Sequence, residues 1–149
     1  SVNFRGTYLC ILKAAALMKK FCARGSIVVI SSNHYRMHHP LCSVYASLKA
    51  GLNKMAEHAA LEYGKYGIRV NVIAPGWTDT GEARLGAKEP TYYHIPLRRW
   101  CTAQEVAQAA LFLCGQWAGS ITGAALTMDG GASLQTDPLE RYGYNERED

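Results

Sequence analysis

The sequence has no long hydrophobic run, and none of its 149 residues belongs to an apolar stretch that could cross a bilayer. It does not open with a signal-peptide pattern. Lysine and arginine do not cluster with interleaved aromatic residues, so the sequence does not predict a nucleic-acid-binding protein. We expect neither a membrane nor a nucleic-acid partner, and a length that suits one domain.

The five cysteines are odd in number and scattered, without Cys-x-x-Cys or zinc-like spacing. We therefore expect reduced thiols, a cytoplasmic location and no disulfide framework. His34, His38 and His39 lie close together in the sequence, but a metal site would need them to converge with a further ligand. We predict no metal site.

Net charge is distributed unevenly along the chain. The total is +4, but residues 137–149 carry five acids and two arginines, so the preceding residues carry +7. Such an excess can attract a phosphorylated cofactor or substrate. A basic solvated surface is the simpler interpretation, and we favour it.

The most informative stretch contains Tyr45 and Lys49, four residues apart at the start of a strongly helical run. This spacing places both side chains on one helix face, about one turn apart. A nearby ammonium favours the phenolate form of a tyrosine, which suits Tyr45 to exchange a proton. Ser32 follows a buried-strand pattern over residues 26–31, so its hydroxyl is expected at the carboxyl end of a strand. The strand end and the helix start can converge where α/β sheets bind ligands.

The order of these motifs resembles the short-chain dehydrogenase/reductase family over about residues 1–134. Ser32 precedes Tyr45 by thirteen residues, and Asn3 stands at the family's catalytic asparagine position. Further matches are Ile68-Arg69-Val70-Asn71-Val72-Ile73-Ala74-Pro75-Gly76 with Thr80, Ile95-Pro96-Leu97-Arg98-Arg99, and Met128-Asp129-Gly130-Gly131. The resemblance implies an α/β fold, a partial Rossmann-like doubly wound parallel sheet made of the last three strands with flanking helices. Residues 135–149 are expected to be a polar C-terminal tail.

The resemblance also implies a role for each matched residue. Asn3, Ser32, Tyr45 and Lys49 would be catalytic, with Asn3 helping to hold a water near Lys49. The simpler interpretation of Asn3 is a helix N-cap. The cofactor, NAD or NADP, would be bound by Tyr45, Lys49, Pro75, Gly76, Thr78 and Thr80. The substrate, a small carbonyl compound or alcohol, would contact Ser32, His34, Tyr35 and Tyr45, and residues 80–94 would form a mobile lid over it.

Local patterns predict the elements that carry these residues. Helices are expected over residues 4–21 and 43–63, and a third is expected to begin at the capping box Thr102-Ala103-Gln104-Glu105 and end before Gly115. Strands are expected over residues 26–31, 68–74 and 121–128. Arg98 or Arg99 is expected to form a structural salt bridge.

The family's Gly-x-x-x-Gly-x-Gly phosphate cradle is absent from the sequence. By analogy, the chain lacks the first four strands, so the strand over residues 26–31 would have an unpaired apolar edge. We expect this chain alone not to be a competent enzyme. The N-terminal half could be a separate polypeptide, or it could be lost or not included in this sequence, or the chains could assemble as a dimer or tetramer that covers the edge.

The chemistry expected of the intact protein is hydride transfer between nicotinamide and a carbonyl or secondary alcohol carbon. The Ser31-Ser32-Asn33-His34 stretch, the long loop that it begins and the extended tail resemble those of sugar and polyol dehydrogenases of the family, which implies a sugar or polyol substrate. A 3-oxoacyl reductase-like role is the alternative. From a different class, the chain could be a non-catalytic half that acts as a structural or oligomerisation partner.

Overall fold

A three-stranded parallel sheet forms the centre of the part of the chain that the structure describes, residues 2–81 and 95–134 of a computed structural model. The elements in chain order are α1 (Thr7–Lys20), β1 (Gly25–Ile30), α2 (Ser43–Tyr63), β2 (Ile68–Pro75), β3 (Thr78–Asp79), β4 (Cys101–Thr102), α3 (Ala103–Cys114) and β5 (Ala125–Met128). The sheet order is β1-β2-β5, with both pairs parallel. This confirms the predicted Rossmann-like arrangement of adjacent strands.

The side chains of β2 alternate between the two faces of the sheet. Because apolar side chains of this strand lie on both faces, helices cover both faces. Ile68, Val70 and Val72 pack in one core cluster with α1 and α2, whereas Ile73 packs in a second cluster with α3. The first cluster contains Ile11, Ala15, Val29, Leu52, Ala56, Ala59, Ala60, Ile68, Val70 and Val72. Small alanines on α2 let that helix lie close to the sheet.

β1 is an edge strand within the described residues, since it pairs with β2 alone. Ile30, its last residue, is 48% exposed. Unpaired strand edges that carry apolar side chains invite pairing with another segment.

The first helix begins later than the sequence predicts. Val2–Gly6 forms a π-helical turn, and the regular helix starts at Thr7 after Gly6 at the N-cap. The Thr7 hydroxyl donates to the Asn3 carbonyl at 2.6 Å, which closes the wider turn. The interpretation of Asn3 as the N-cap of this helix is therefore wrong.

The last strand is shorter than the predicted residues 121–128, because a glycine interrupts the extended backbone. Gly123 has φ of +73°, and its N–H donates to the Val70 carbonyl. That left-handed conformation is open to glycine at little cost. Regular pairing with β2 begins only at Ala125.

A second, two-stranded sheet was not foreseen from the sequence. β3 and β4 pair in parallel, with Thr78 opposite Cys101, although only two residues belong to each strand. Strands this short leave no periodicity in the sequence to detect.

The start of α3 follows its sequence signature. The Thr102 hydroxyl accepts from the Glu105 N–H, and the Glu105 carboxylate accepts from the Thr102 N–H, which confirms the capping box. Arg99 binds the same carboxylate through two nitrogens, at 2.7 and 2.9 Å. The Arg99 guanidinium, followed by the Thr102 donors, lowers the pKa of Glu105 to about 2. The predicted structural salt bridge is therefore made by Arg99.

Two predicted segments lie wholly or largely outside the described residues. They are the lid over residues 80–94, of which 80 and 81 are described, and the tail over residues 135–149. No helix within residues 2–81 and 95–134 has the combination of length and apolarity that a membrane span requires.

Asn71 joins β2 to the segment before β5 from a fully buried position. Its Nδ2 donates to the Ile121 carbonyl at 2.8 Å, and its Oδ1 accepts from the Ala124 N–H at 3.1 Å. Asn53 on α2 is also buried, but its amide has no hydrogen-bond partner in the described part of the chain. The two asparagines therefore form a matched pair that differs in hydrogen bonding.

We predict that Asn71→Leu destabilises the chain by about 1–3 kcal/mol, because the Ala124 N–H and the Ile121 carbonyl both lose the hydrogen bond that the Asn71 amide makes. Asn53→Leu should be neutral or stabilising, because it removes an amide that has no partner. Urea unfolding of both variants measures the difference. Equal losses of stability would contradict this account of Asn71.

Candidate functional site

Tyr45 and Lys49 lie together near the start of α2, as their spacing predicts. The Lys49 ammonium is 5.6 Å from the centroid of the Tyr45 ring. Tyr45 is 43% exposed, so its phenol is accessible from solvent. An accessible phenol beside a fixed cation is an arrangement that can transfer a proton.

The carboxyl end of β1 is attached to this turn of α2 by two hydrogen bonds. The Ser31 hydroxyl donates to the Lys49 carbonyl at 3.0 Å, and the Lys49 ammonium donates back to the Ile30 carbonyl at 3.4 Å. Ser31 has no predicted role. The tandem serines at the end of a strand pattern were the only signal for it.

Ser32 is 6% exposed and begins a single 3₁₀ turn, Asn33–Tyr35. Its hydroxyl oxygen accepts from the His34 N–H at 3.3 Å, and its O–H donates to Asn33 Oδ1 at 3.5 Å. The turn thus places His34 beside the Tyr45 ring.

Four aromatic rings lie next to one another on this side of the site. The His34 ring meets the Tyr45 ring edge-on, with centroids 5.4 Å apart. His39 lies 5.9 Å from His34 and 6.5 Å from Trp77. The family resemblance predicts His34 for substrate binding, but no local sequence pattern predicts the approach of His39 to Trp77.

Burial lowers the pKa of His34 below its usual value of 6.5, and the charge of nearby His39 lowers it further. The neutral imidazole of His34 is therefore more populated than the imidazolium at pH 7. One ring nitrogen of a neutral imidazole donates a hydrogen bond and the other accepts one. His34 Nδ1 is itself buried and has no hydrogen-bond partner in the described residues.

The turn after β2 carries the predicted cofactor-binding residues. The Gly76 N–H donates to the Met128 carbonyl at 2.9 Å, and the Thr78 hydroxyl donates to the Gly76 carbonyl at 3.1 Å. Pro75 ends β2 and pairs with Met128, and Thr80 is exposed. Because β1 and β2 are parallel, this turn lies at the same edge of the sheet as Ser32.

The Tyr35 side chain and Asn3 make no contact with the Tyr45–Lys49 pair among the hydrogen bonds and ring contacts of the described residues. The Tyr35 hydroxyl shares a hydrogen bond with Thr127 Oγ1 at 3.2 Å, so it faces β5. Asn3 is exposed, and its carbonyl binds Thr7. Its neighbour Phe4 packs closely against Gly51, which places this segment beside α2.

A buried pair, Asn33 and Asp129, lies behind the turn and was missed from the sequence. Asn33 Nδ2 donates to Asp129 Oδ2 at 3.2 Å. Burial raises the pKa of Asp129, but hydrogen bonds from Ser133, Asn33 and Gly131 outweigh burial and lower it overall. The two residues are 96 positions apart, so only the fold shows their contact.

No group of three His, Cys, Asp or Glu side chains in residues 2–81 and 95–134 is placed to hold a metal ion. The donors at this edge of the sheet are instead hydroxyls, an ammonium and imidazoles. Such groups bind the hydroxyl, carbonyl and amide oxygens of organic ligands.

The model of a protein family described as Enoyl-(Acyl carrier protein) reductase matches residues 1–133. Glucose 1-dehydrogenase 2 of Bacillus subtilis (strain 168) is 37% identical over 144 residues, which cover 93% of this chain and 55% of that protein. The (3R)-3-hydroxyacyl-CoA dehydrogenase of Mus musculus is 34% identical over 134 residues, which cover 88% of this chain and 52% of that protein. The chain spans about half the length of the curated relatives it matches.

Among solved structures, one described as ElxO with NADP bound superimposes with a TM-score of 0.79 at 31% identity. The superposition covers 89% of this chain and 56% of that one. The similarity therefore extends over most of the fold described above.

We predict that His39→Gln raises the pKa of His34 but leaves it below 6.5, because burial contributes more than the charge of His39 does. NMR titration of the imidazole Cε1–H resonances measures the midpoint. A midpoint that stays unchanged, or one that reaches 6.5, would contradict the order of the two causes.

Proposed function

The chain belongs to the short-chain dehydrogenase/reductase family, and from this premise we propose that its active form is an NAD(P)-dependent oxidoreductase. The reaction is hydride transfer between nicotinamide and a carbonyl or secondary alcohol carbon. The observation that carries the proposal is the position of Lys49, 5.6 Å from the Tyr45 ring and bonded to the carboxyl end of β1.

Tyr45 exchanges the proton with the substrate oxygen. The positive charge of Lys49 lies beside the Tyr45 ring, where it can stabilise the negative charge that develops on the phenol oxygen as the proton leaves. Ser32 positions the substrate oxygen, and its hydroxyl is held at the end of β1 by the His34 N–H. Asn3 supports the water that returns protons to Lys49, a role that its segment beside α2 accommodates.

The residues present fit the nicotinamide and ribose end of the cofactor. Lys49 has three donor hydrogens and uses one of them, toward Ile30, within the described residues. Lys49 and Tyr45 would hold the ribose, and the Pro75–Gly76 turn with Thr78 and Thr80 would hold the carboxamide. The bound cofactor supplies or accepts the hydride.

The pyrophosphate end has no matching Gly-x-x-x-Gly-x-Gly turn in this sequence. We therefore propose that the catalytic form also contains a phosphate-binding segment of the kind that the family carries before the catalytic half. The exposed edge of β1 is the place where its neighbouring strand would pair.

We predict that Tyr45→Phe lowers turnover by about 10²–10⁴-fold, the usual contribution of a positioned acid–base group, while cofactor binding persists. The assay follows nicotinamide absorbance, with this chain alone and with a family phosphate-binding segment fused before it. Tyr8→Phe is the matched control, because Tyr8 lies on α1, is about as exposed as Tyr45 (46% against 43%), and has no role in the proposed reaction. Turnover retained by Tyr45→Phe would reject the role of Tyr45.

A second candidate function is that of a non-catalytic partner. The missing phosphate cradle favours it, whereas the complete set of Asn3, Ser32, Tyr45 and Lys49 favours an enzyme. The same assay separates the two, because a non-catalytic chain shows no turnover in either form and no difference between Tyr45→Phe and Tyr8→Phe.

For the substrate, we propose a polyhydroxylated carbonyl compound or polyol. The similarity to a glucose dehydrogenase and the neutral imidazole of His34 beside Tyr45 support this class. The alternative, a 3-oxoacyl thioester, is supported by the similarity to the hydroxyacyl-CoA dehydrogenase.

We predict that His34→Leu lowers kcat/KM for a polyol by about tenfold, the value of one lost hydrogen bond, and leaves kcat/KM for a simple secondary alcohol nearly unchanged. The comparison uses the fused form, with glucose, a monohydric alcohol and a 3-oxoacyl thioester as substrates. Faster reduction of the thioester, with no effect of His34→Leu on glucose, would favour the alternative substrate class.

A further inference from the structure

We propose that Asn33 and Asp129 are positioning residues, which orient the Ser32 hydroxyl and hold the Gly76 turn at the same edge of the sheet. The inference rests on the proposed function for its catalytic meaning, but its geometry is independent of that function. Neither residue contacts the Tyr45–Lys49 pair in the contacts described above.

Three side chains form a continuous hydrogen-bonded series. Ser32 donates to Asn33 Oδ1 at 3.5 Å, and Asn33 Nδ2 donates to Asp129 Oδ2 at 3.2 Å. All three residues are buried, with exposures of 6%, 2% and 8%. The bond between Asn33 and Asp129 is costly to break, because a buried amide or carboxylate that loses its partner has no water to replace it.

The Asp129 carboxylate determines the orientation of the Asn33 side-chain amide. An ionised carboxylate only accepts hydrogen bonds, so Asn33 must turn its NH₂ toward Asp129 and its carbonyl oxygen toward Ser32. Asp129 is fixed in turn, because Oδ1 accepts from the Gly131 N–H at 3.0 Å and Oδ2 accepts from the Ser133 N–H at 2.8 Å. The orientation of Asn33 is therefore set by the loop after β5.

The Ser32 hydroxyl donates its proton toward the Asn33 side chain. The Ser32 oxygen already accepts from the His34 N–H, so its proton faces Asn33 Oδ1. At 3.5 Å this bond is long and weak, and a substrate oxygen can replace it at little cost. Asn33 thus holds the hydroxyl ready to donate without binding it tightly.

Asp129 also contacts the turn after β2. A Cβ at Gly76 would lie 2.6 Å from Asp129 Cβ and 3.3 Å from Asn33 Nδ2, so only glycine fits there without a shift. The Gly76 N–H donates to Met128, the residue before Asp129. The pair therefore supports both the segment that carries Ser32 and the turn proposed to meet the nicotinamide.

The test exchanges the side-chain amide of Asn33 with the carboxylate of Asp129. Asn33→Asp sets two carboxylates against each other, which repel at neutral pH, and should lower kcat/KM by about 10–100-fold in the fused form. Adding Asp129→Asn restores a donor and an acceptor to the pair and should recover a large part of the loss. Thr127→Val is the matched control, since it removes the Tyr35–Thr127 bond between the same two segments without touching Ser32.

A second measurement uses this chain alone and needs no activity. Asn33→Asp should speed amide hydrogen exchange about tenfold at His34 and Gly76, and the double variant should slow it again. The Val72 amide, bonded to the Ala124 carbonyl, is the internal reference and should not change.

The outcomes separate the two proposals. Faster exchange that extends to Val72, or a double variant no better than Asn33→Asp, indicates general loss of structure and overturns the positioning role. Absence of turnover in the unmutated fused form, combined with the expected exchange at His34 and Gly76, overturns the proposed function while the positioning of Ser32 stands.

Discussion

The attachment of β1 to α2 through Ser31 and Lys49 is the constraint on which the site depends. One hydrogen bond runs from the strand to the helix backbone, and the other runs from the helix side chain to the strand backbone. Together they fix the end of β1 against the first two turns of α2. Ser32 follows Ser31 directly after β1, and Tyr45 lies on α2, so their relative position depends on this pair of bonds.

The sheet supplies the second level of organisation. Because β1, β2 and β5 are parallel, their carboxyl ends deliver three loops to one edge. The loops meet at buried polar contacts, Asn33 with Asp129 and Gly76 with Met128. Each of these polar contacts needs a specific donor and acceptor. The apolar packing of α1 and α2 against β1 and β2, in contrast, tolerates exchange of similar side chains.

Local signals predicted the elements that have strong periodicity or caps. The bounds of α2 and the capping box at Thr102 were correct because their determinants lie within a few residues of each other. The sequence failed where a distant contact decides the backbone. Gly123 ends the extended segment through its bond to Val70, and β3 exists only because Cys101 lies beside Trp77.

The sequence by itself determined the family, the parallel sheet and the one-turn spacing of Tyr45 and Lys49. Motif order, continuous apolar runs and residue spacing are all properties of the linear sequence, so they need no knowledge of contacts between distant residues. Tertiary structure alone decided that Ser31 binds Lys49, that His39 approaches Trp77 and that Asp129 orients Asn33. These contacts join residues that come together only when the strands align. Their energies depend on distances and burial, which no local pattern encodes.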